Sequence, residues 1–235
     1  MSTENKKQGT MVIDYERVNQ VLKYVYANAI EGDAESVLKT IDTFCYEHQW
    51  CMNVGDVKGP IVRDVIAEHK PKVIVELGGY YGYSAIMFAN FLKNDPDTIY
   101  YTIEINPILA CVIEKTTRFA GLGDKVRVLT GNLSQNLEVL KNKYGISQVD
   151  MLFLDHIKDA YLSDFLLAEE RCLFHKNTVI VADNVITPGA PDYLAHLMDH
   201  PRFSSKLIKT ELEYSFGMEE DGILVSVPVQ KPIAV

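Results

Sequence analysis

Two polar motifs stand where apolar runs end. Phe153-Leu154 leads into Asp155-His156-Ile157-Lys158, and Val181-Ala182 leads into Asp183-Asn184. If these runs are neighbouring strands, as consecutive strands usually are, their ends lie about 5 Å apart, and Asp155, Asp183 and Asn184 converge. Two carboxylates and an amide oxygen are hard ligands of the kind Mg²⁺ prefers, and that ion keeps waters which a substrate can displace. Lys158 stands three residues beyond Asp155. A cation beside it would favour the neutral amine, the form that serves as a general base. Singly, each residue would also suit a strand end capping its loop, and Lys158 a solvated surface lysine. His156 is read as a cofactor-side contact rather than a base.

A second constellation lies upstream, in Glu76-Leu77-Gly78-Gly79-Tyr80-Tyr81-Gly82-Tyr83-Ser84. In an open α/β sheet ligands bind beyond the carboxyl ends of strands, where glycines admit close approach of the backbone. Gly78 and Gly82 mark such a loop. Glu104 ends the next apolar run, 22 residues after Gly82, where an acid can hydrogen-bond ribose hydroxyls. Together they predict a nucleoside cofactor. The dinucleotide spacing G-x-G-x-x-G is absent, which weakens a nicotinamide reading. Taken alone, the loop could be a turn without a ligand, and Glu104 a helix-entry acid facing the macrodipole.

The elements that must position these residues follow from periodicity. Short β-branched runs at Val73–Leu77, Ile99–Ile105, Val126–Thr130, Val149–Leu154 and Thr178–Ala182 alternate with helical stretches, the pattern of a parallel sheet covered on both faces. Asn106 before Pro107 reads as a cap and first helical residue, and Ser134 opens a helix to Tyr144. Ser205–Leu212 and Gly222–Val227 suit an antiparallel hairpin at one edge. The first sixty residues look helical, with Asp14–Ile30 as one segment and Asp33 capping the next.

The 235 residues are 47% hydrophobic, enough for one substantial core without disulfide or metal staples. No linker or repeat divides them, so a single domain over 1–235 is expected, with a short disordered tail at 1–10. The net charge of −9 and the lack of a Lys/Arg cluster exclude nucleic acid as a partner. Cys45, Cys51, Cys111 and Cys172 form no C-x-x-C pair and suit free thiols in a reducing compartment. No apolar run reaches the ~18 residues of a membrane span, and Ser2–Gly9 is too polar for a signal peptide. A cytoplasmic protein without membrane contact is expected, and nothing requires an oligomer.

From about Val21 to Leu224 the chain resembles the catechol O-methyltransferase family of cation-dependent O-methyltransferases. The likeness is carried by Trp50-Cys51-Met52-Asn53-Val54-Gly55-Asp56, Glu76-Leu77-Gly78 with Gly82-Tyr83-Ser84, and Ile103-Glu104-Ile105-Asn106-Pro107. It continues through Phe153-Leu154-Asp155-His156, Ala182-Asp183-Asn184-Val185-Ile186 and Pro188-Gly189-Ala190-Pro191-Asp192. The resemblance implies an α/β, Rossmann-like fold that uses S-adenosylmethionine (SAM): a seven-stranded, mostly parallel sheet with one antiparallel strand and helices on both faces. Residues 11–60 would be helices capping the cofactor and substrate site. The implied reaction is Mg²⁺-dependent methyl transfer from SAM to one hydroxyl of a catechol, as in catecholamine metabolism.

The resemblance also implies roles. Asp155, Asp183 and Asn184 would hold Mg²⁺, and Lys158 would be the base. Glu104 would hold the ribose, Gly78 and Ser84 the methionine end, and Tyr80 would lie behind the sulfonium. Ser134 and Gln135 would border the adenine, with Val54, Glu76, Ile105, Asp155 and His156 completing the cofactor contacts. Trp50, Met52, Ile157 and Pro188 would wall the ring, beside Lys158 and Asn184, and Glu213 would bond the second hydroxyl. Familiar animal members have Trp where this chain has Ile157, and the helix entry after Gly131 carries one extra residue. Three other readings stay open at this level. They are methylation of larger vicinal diphenols such as phenylpropanoid esters, a nicotinamide-dependent oxidoreductase, and a non-catalytic binder of metal and nucleoside.

Overall fold

The computed structural model describes residues 13–229; the expected tail at 1–10 lies outside them. Three helices, α1 (Tyr15–Asn28), α2 (Ala34–Glu47) and α3 (Gly55–His69), precede seven strands. These are β1 (Val73–Leu77), β2 (Ile99–Glu104), β3 (Val126–Thr130), β4 (Val149–Leu154), β5 (Phe174–Ala182), β6 (Phe203–Glu211) and β7 (Glu220–Pro228). Five more helices connect them: α4 (Tyr83–Phe91), α5 (Pro107–Phe119), α6 (Leu133–Tyr144), α7 (Tyr161–Glu170) and α8 (Pro191–Met198).

The strands form one sheet in the order β3-β2-β1-β4-β5-β7-β6. All pairs from β3 to β5 are parallel, and β7 runs antiparallel to both β5 and β6. That is the expected sheet with one antiparallel strand, and β6 with β7 makes the expected edge hairpin. Because successive side chains on a strand face opposite ways, each strand feeds two cores. Ile74, Met151, Phe153, Val179 and Val181 pack with α1 to α4. Val75, Leu152, Leu154, Ile180 and Ala182 pack with α6 to α8.

Two local expectations need correction. Helix α6 begins at Leu133 and is capped by Asn132, not opened by Ser134. Asn132 Oδ1 accepts from the Gln135 N–H at 3.0 Å while Gln135 Oε1 accepts from the Asn132 N–H at 3.0 Å, a reciprocal capping box. Strand β5 begins at Phe174 rather than Thr178, because the exposed polar pair Lys176 and Asn177 conceals the first half of a strand whose register against β4 is irregular. The other caps match: Asp33 accepts from the Ser36 N–H at 3.1 Å, and Asn106 from the Ile108 and Leu109 N–H groups at 2.9 and 3.2 Å.

Register decides what the sheet presents. Leu77 pairs with both Ile103 and Leu154, and Leu154 pairs with Ala182. The next residues, Gly78, Glu104, Asp155 and Asp183, therefore stand in one row along the carboxyl edge. Strand order reverses between β1 and β4, the topological switch point at which open α/β sheets bind ligands.

Candidate active site

At the switch point the chain turns sharply. Gly78 has φ +93°, and a Cβ there would lie 2.5 Å from the Asp155 carbonyl oxygen, so only glycine lets the loop after β1 cross the end of β4. Glu104 is the partner of this loop. Its Oε2 accepts from the Gly79 and Tyr80 N–H groups at 3.2 and 3.1 Å, and its Oε1 from the Asn106 N–H at 2.9 Å. Burial pushes the Glu104 carboxyl up, against those backbone hydrogen bonds. Tyr80 has φ +50°, strained for a non-glycine residue, and Ile105 beyond Glu104 is 70% exposed. Below the loop, Ser84 donates to the buried Glu76, whose carboxyl burial pushes up to about 8.

Ser134 and Gln135 sit at the same edge beyond β3, exposed, with the Gln135 carbonyl engaged in the α6 cap. The His156 ring stacks on Tyr161 at 4.9 Å and shares a hydrogen bond with Asp164 at 2.9 Å. Burial holds its pKa below the usual histidine value, so it packs as a neutral ring.

Asp155, Asp183 and Asn184 do come together, at the ends of β4 and β5. Lys158 Nζ donates to Asp155 Oδ1 at 3.1 Å and to the Tyr161 hydroxyl at 2.7 Å. The Tyr161 hydroxyl in turn reaches the carbonyls of Leu154 at 2.8 Å and Asp183 at 3.0 Å, so one phenol bridges both strand ends and seats the lysine. Burial raises the Asp155 carboxyl to about 7; Lys158 pulls it down and Asp183 pushes it up. Asp183 Oδ2 and Asn184 Oδ1 are buried without any hydrogen-bond donor. Desolvated acceptors left unmatched cost about 1–3 kcal/mol each, and a cation is the partner that would satisfy both.

Two residues that motif reading missed complete the cluster. Lys58 on α3 is fully buried; its Nζ donates to Asp221 Oδ2 at 2.7 Å and makes ion-pair contacts with Asp183 Oδ1 at 2.8 Å and Glu213 Oε2 at 2.9 Å. Burial alone would lower its pKa, but the three carboxylates outweigh this and raise it. Asp221 at the start of β7 also accepts from Asn184 Nδ2 at 2.8 Å, leaving the Asn184 oxygen free. The signal was present: Val54, Lys58 and Val62 share one helical stripe, all buried, and a lysine there requires buried acids.

Four buried carboxyl groups, Asp155, Asp183, Glu213 and Asp221, thus face two ammonium groups, Lys58 and Lys158. Acid groups outnumber cations by two. Burial also holds the Glu213 carboxyl up at about 8. Trp50 Nε1 donates to the Glu213 carbonyl at 2.9 Å, which brings two of the expected ring-site residues together. Met52 is half-buried, Ile157 is 43% exposed, and Pro188 follows a cis peptide bond in the turn after Asn184. Among the described residues no group of three His, Cys, Asp or Glu side chains is arranged to hold a metal; the oxygen set at this edge is two carboxylates with the amide of Asn184.

The O-methyltransferase family pattern matches residues 28–196, a span that holds the glycine loop, Glu104, Asp155, Lys158 and Asp183. The chain belongs to the O-methyltransferase family. It is 46% identical over 195 residues to catechol O-methyltransferase of Mus musculus, covering 83% of this chain and 73% of the mouse protein. Catechol O-methyltransferase of Bos taurus is 44% identical over 196 residues, with 83% and 71% covered. Among solved structures, the O-methyltransferase TomG of Streptomyces achromogenes, in complex with SAM, superposes with a TM-score of 0.69 at 22% identity, covering 93% of this chain and all of that one. That likeness concerns the fold. For this methyltransferase the oxidoreductase and non-catalytic readings fall away. No described helix is long and apolar enough to cross a membrane.

Proposed function

We propose that this methyltransferase transfers a methyl group from SAM to one hydroxyl of a catechol and depends on Mg²⁺. The observation that carries the reading is the pair of buried acceptors without donors, Asp183 Oδ2 and Asn184 Oδ1, beside the Asp155–Lys158 pair in a pocket where acid groups outnumber ammonium groups. Its relatives in mouse and cow are catechol O-methyltransferases, which supports the substrate class.

Asp155, Asp183 and Asn184 would hold the Mg²⁺, which when bound supplies a Lewis acid that acidifies a chelated hydroxyl, while SAM supplies an electrophilic methyl. Lys158 Nζ, seated by Tyr161, takes the hydroxyl proton once the charge of Asp155 is otherwise engaged, since the amine is then free to be neutral. Glu213, whose Oε1 has no donor, accepts from the second hydroxyl. Trp50, Met52, Ile157 and Pro188 wall the ring and exclude water. On the cofactor side Glu104 holds the ribose against the glycine loop, Gly78 and Ser84 face the methionine end, and Tyr80 stands behind the sulfonium. Val54, Glu76, Ile105 and His156 line this half, with Ser134 and Gln135 at the adenine. Opposite charges neutralise in the displacement, so the chain's main contribution is to hold oxygen and methyl in near-attack geometry. Free thiols at all four cysteines suit the reducing cytoplasm.

The test is a radiolabelled methyl-transfer screen over simple catechols and larger vicinal diphenols, with Mg²⁺ and with chelator. Catechol labelling that requires the cation is expected. Labelling that persists in chelator would remove the cation from the scheme, and an absence of labelling on every vicinal diphenol would remove the substrate class.

A further inference from the structure

Lys58 occupies an unusual position for a lysine. It is fully buried, one helical turn into α3, and its Nζ lies 2.7–2.9 Å from oxygens of three carboxylates drawn from β5's end, the β6–β7 connection and β7. On two of these the contact is one-sided. Lys58 meets Asp183 through Oδ1 and lies within ion-pair distance of Glu213 Oε2, while Asp183 Oδ2 and both Glu213 carboxyl oxygens are buried without hydrogen-bond donors. Asp183 Oδ2 is the oxygen that the proposed chemistry needs for a cation, and Glu213 Oε1, turned away from the ammonium contact, the one for a substrate hydroxyl.

The surroundings of Glu213 point the same way. A Cβ on Gly55, the first residue of α3, would lie 2.5 Å from the Glu213 Cβ, so the start of the helix rests directly on that side chain. Trp50, just before the helix, holds the Glu213 carbonyl. The segment from Trp50 to Lys58 thus fixes Glu213 by its backbone, its Cβ and its carboxylate at once.

We infer that Lys58 is a positioning residue that couples the cation site to the substrate site, orienting the Asp183 and Glu213 carboxylates from a single ammonium. The inference rests on the catechol reading above. A carboxylate freed from this ammonium can rotate, so removing Lys58 should weaken cation and catechol binding together. The distant SAM contacts at the glycine loop should stay intact. A lysine that merely fastens α3 to the sheet would lower thermal stability without that selective pair of losses.

The test uses charge-conserving pairs, because deleting a buried cation alone would add attraction for any metal. In Lys58→Met/Asp221→Asn the net charge is unchanged, and the comparison is with the wild type, Asp221→Asn alone reporting the separate effect of losing that acid. Mn²⁺ affinity, read by water-proton relaxation without substrate, should fall about tenfold or more, the usual cost of losing a group that orients a metal ligand. The KM for catechol should rise by a similar factor, while SAM affinity by calorimetry stays within about twofold. If that pair does not fold, Lys58→Met/Glu213→Gln, compared with the wild type above about pH 8 where Glu213 is ionised, also conserves net charge and alters no cation ligand, and Mn²⁺ affinity should again fall about tenfold. Wild-type-like Mn²⁺ affinity in either folded pair overturns the role of Lys58. Failure of the wild-type protein to bind Mn²⁺ or to methylate catechol overturns the parent reading, and this inference with it.

Discussion

Lys158 and Glu76 differ in the company they keep: the first is held by polar partners, the second is buried without a cation in contact. Lys158 is held between the Asp155 carboxylate and the Tyr161 hydroxyl, so its position is set before any substrate arrives. Lys158→Ala is expected to lower kcat by about 10²-fold or more, in the range of general-base groups, with little change in SAM affinity; steady-state kinetics and calorimetry check this. Lost SAM affinity with unchanged kcat would instead make Lys158 a binding residue. Ile157 next to it offers apolar contact where an indole would add stacking of about 0.5–1.5 kcal/mol. Ile157→Trp should therefore lower the KM for a simple catechol a few-fold and shift the ratio of the two methylated products. An unchanged KM and ratio would place Ile157 away from the ring.

Glu76 has no cationic partner in contact, and burial dominates: its carboxyl titrates at about 8 against an ordinary 4.5. Between those values the folded chain keeps a proton that the unfolded chain releases. Folding stability from this group is therefore full at low pH and declines as pH rises through the window, by on the order of 5 kcal/mol. Glu76→Gln cannot ionise. Urea unfolding of the cofactor-free protein from pH 5 to 8 should show the variant gaining steadily on the wild type, whereas parallel curves would mean that Glu76 is already charged or solvated.

At the scale of elements, the strands that matter most for the site were also the easiest to locate. β1, β3 and β4 begin and end where their β-branched runs do. β1 and β4 are buried over nearly their whole length, which leaves few polar positions to blur their limits, and the edge strand β3 is closed by Gly131. β5 was legible only from Thr178, since its exposed first half is polar. The cap of α6 was misplaced by two residues because Ser134 and Asn132 are both good caps, and only the geometry of Gln135 distinguishes them. Asn132→Ala should cost about 1 kcal/mol, read from urea unfolding, while Ser134→Ala should be nearly neutral; the reverse order would return the cap to Ser134. Asp155, Asp183 and Asn184 could be inferred from position alone, as strand ends in a parallel sheet. Lys58 and Asp221 could not be paired, because they lie 163 residues apart and no periodicity reports which distant strand a buried lysine will meet.

For the whole molecule, the catalytic edge lies where helices from the first sixty residues meet strands from the last thirty. Each ligand that binds the folded state alone stabilises it, by about 2.7 kcal/mol at a hundredfold excess over Kd. SAM and Mg²⁺ should therefore each raise the midpoint of thermal unfolding. Asp155→Ala is expected to abolish the Mg²⁺ increment and retain much of the SAM one. A Mg²⁺ increment that survives in this variant would move the cation elsewhere.

The placement of β7 between β5 and β6 has a consequence for biosynthesis. Lys58 leaves the ribosome long before Asp221, and at ordinary elongation rates of about 5–20 residues per second the wait is on the order of ten seconds or more. Trp50 waits comparably for Glu213 and Asn53 for Tyr214. From the completion of β5 until β7 is made, β5 offers an unpaired backbone edge, since β6 emerges first but has no place on the sheet until β7 has slotted in between. A nascent chain halted after β6 would display the open edge of β5 and an unplaced β6, features that recruit other chains, with Lys58 still without Asp221. The same strand order that brings the last acids to the first helices thus leaves the β5 edge open until β7 has been made.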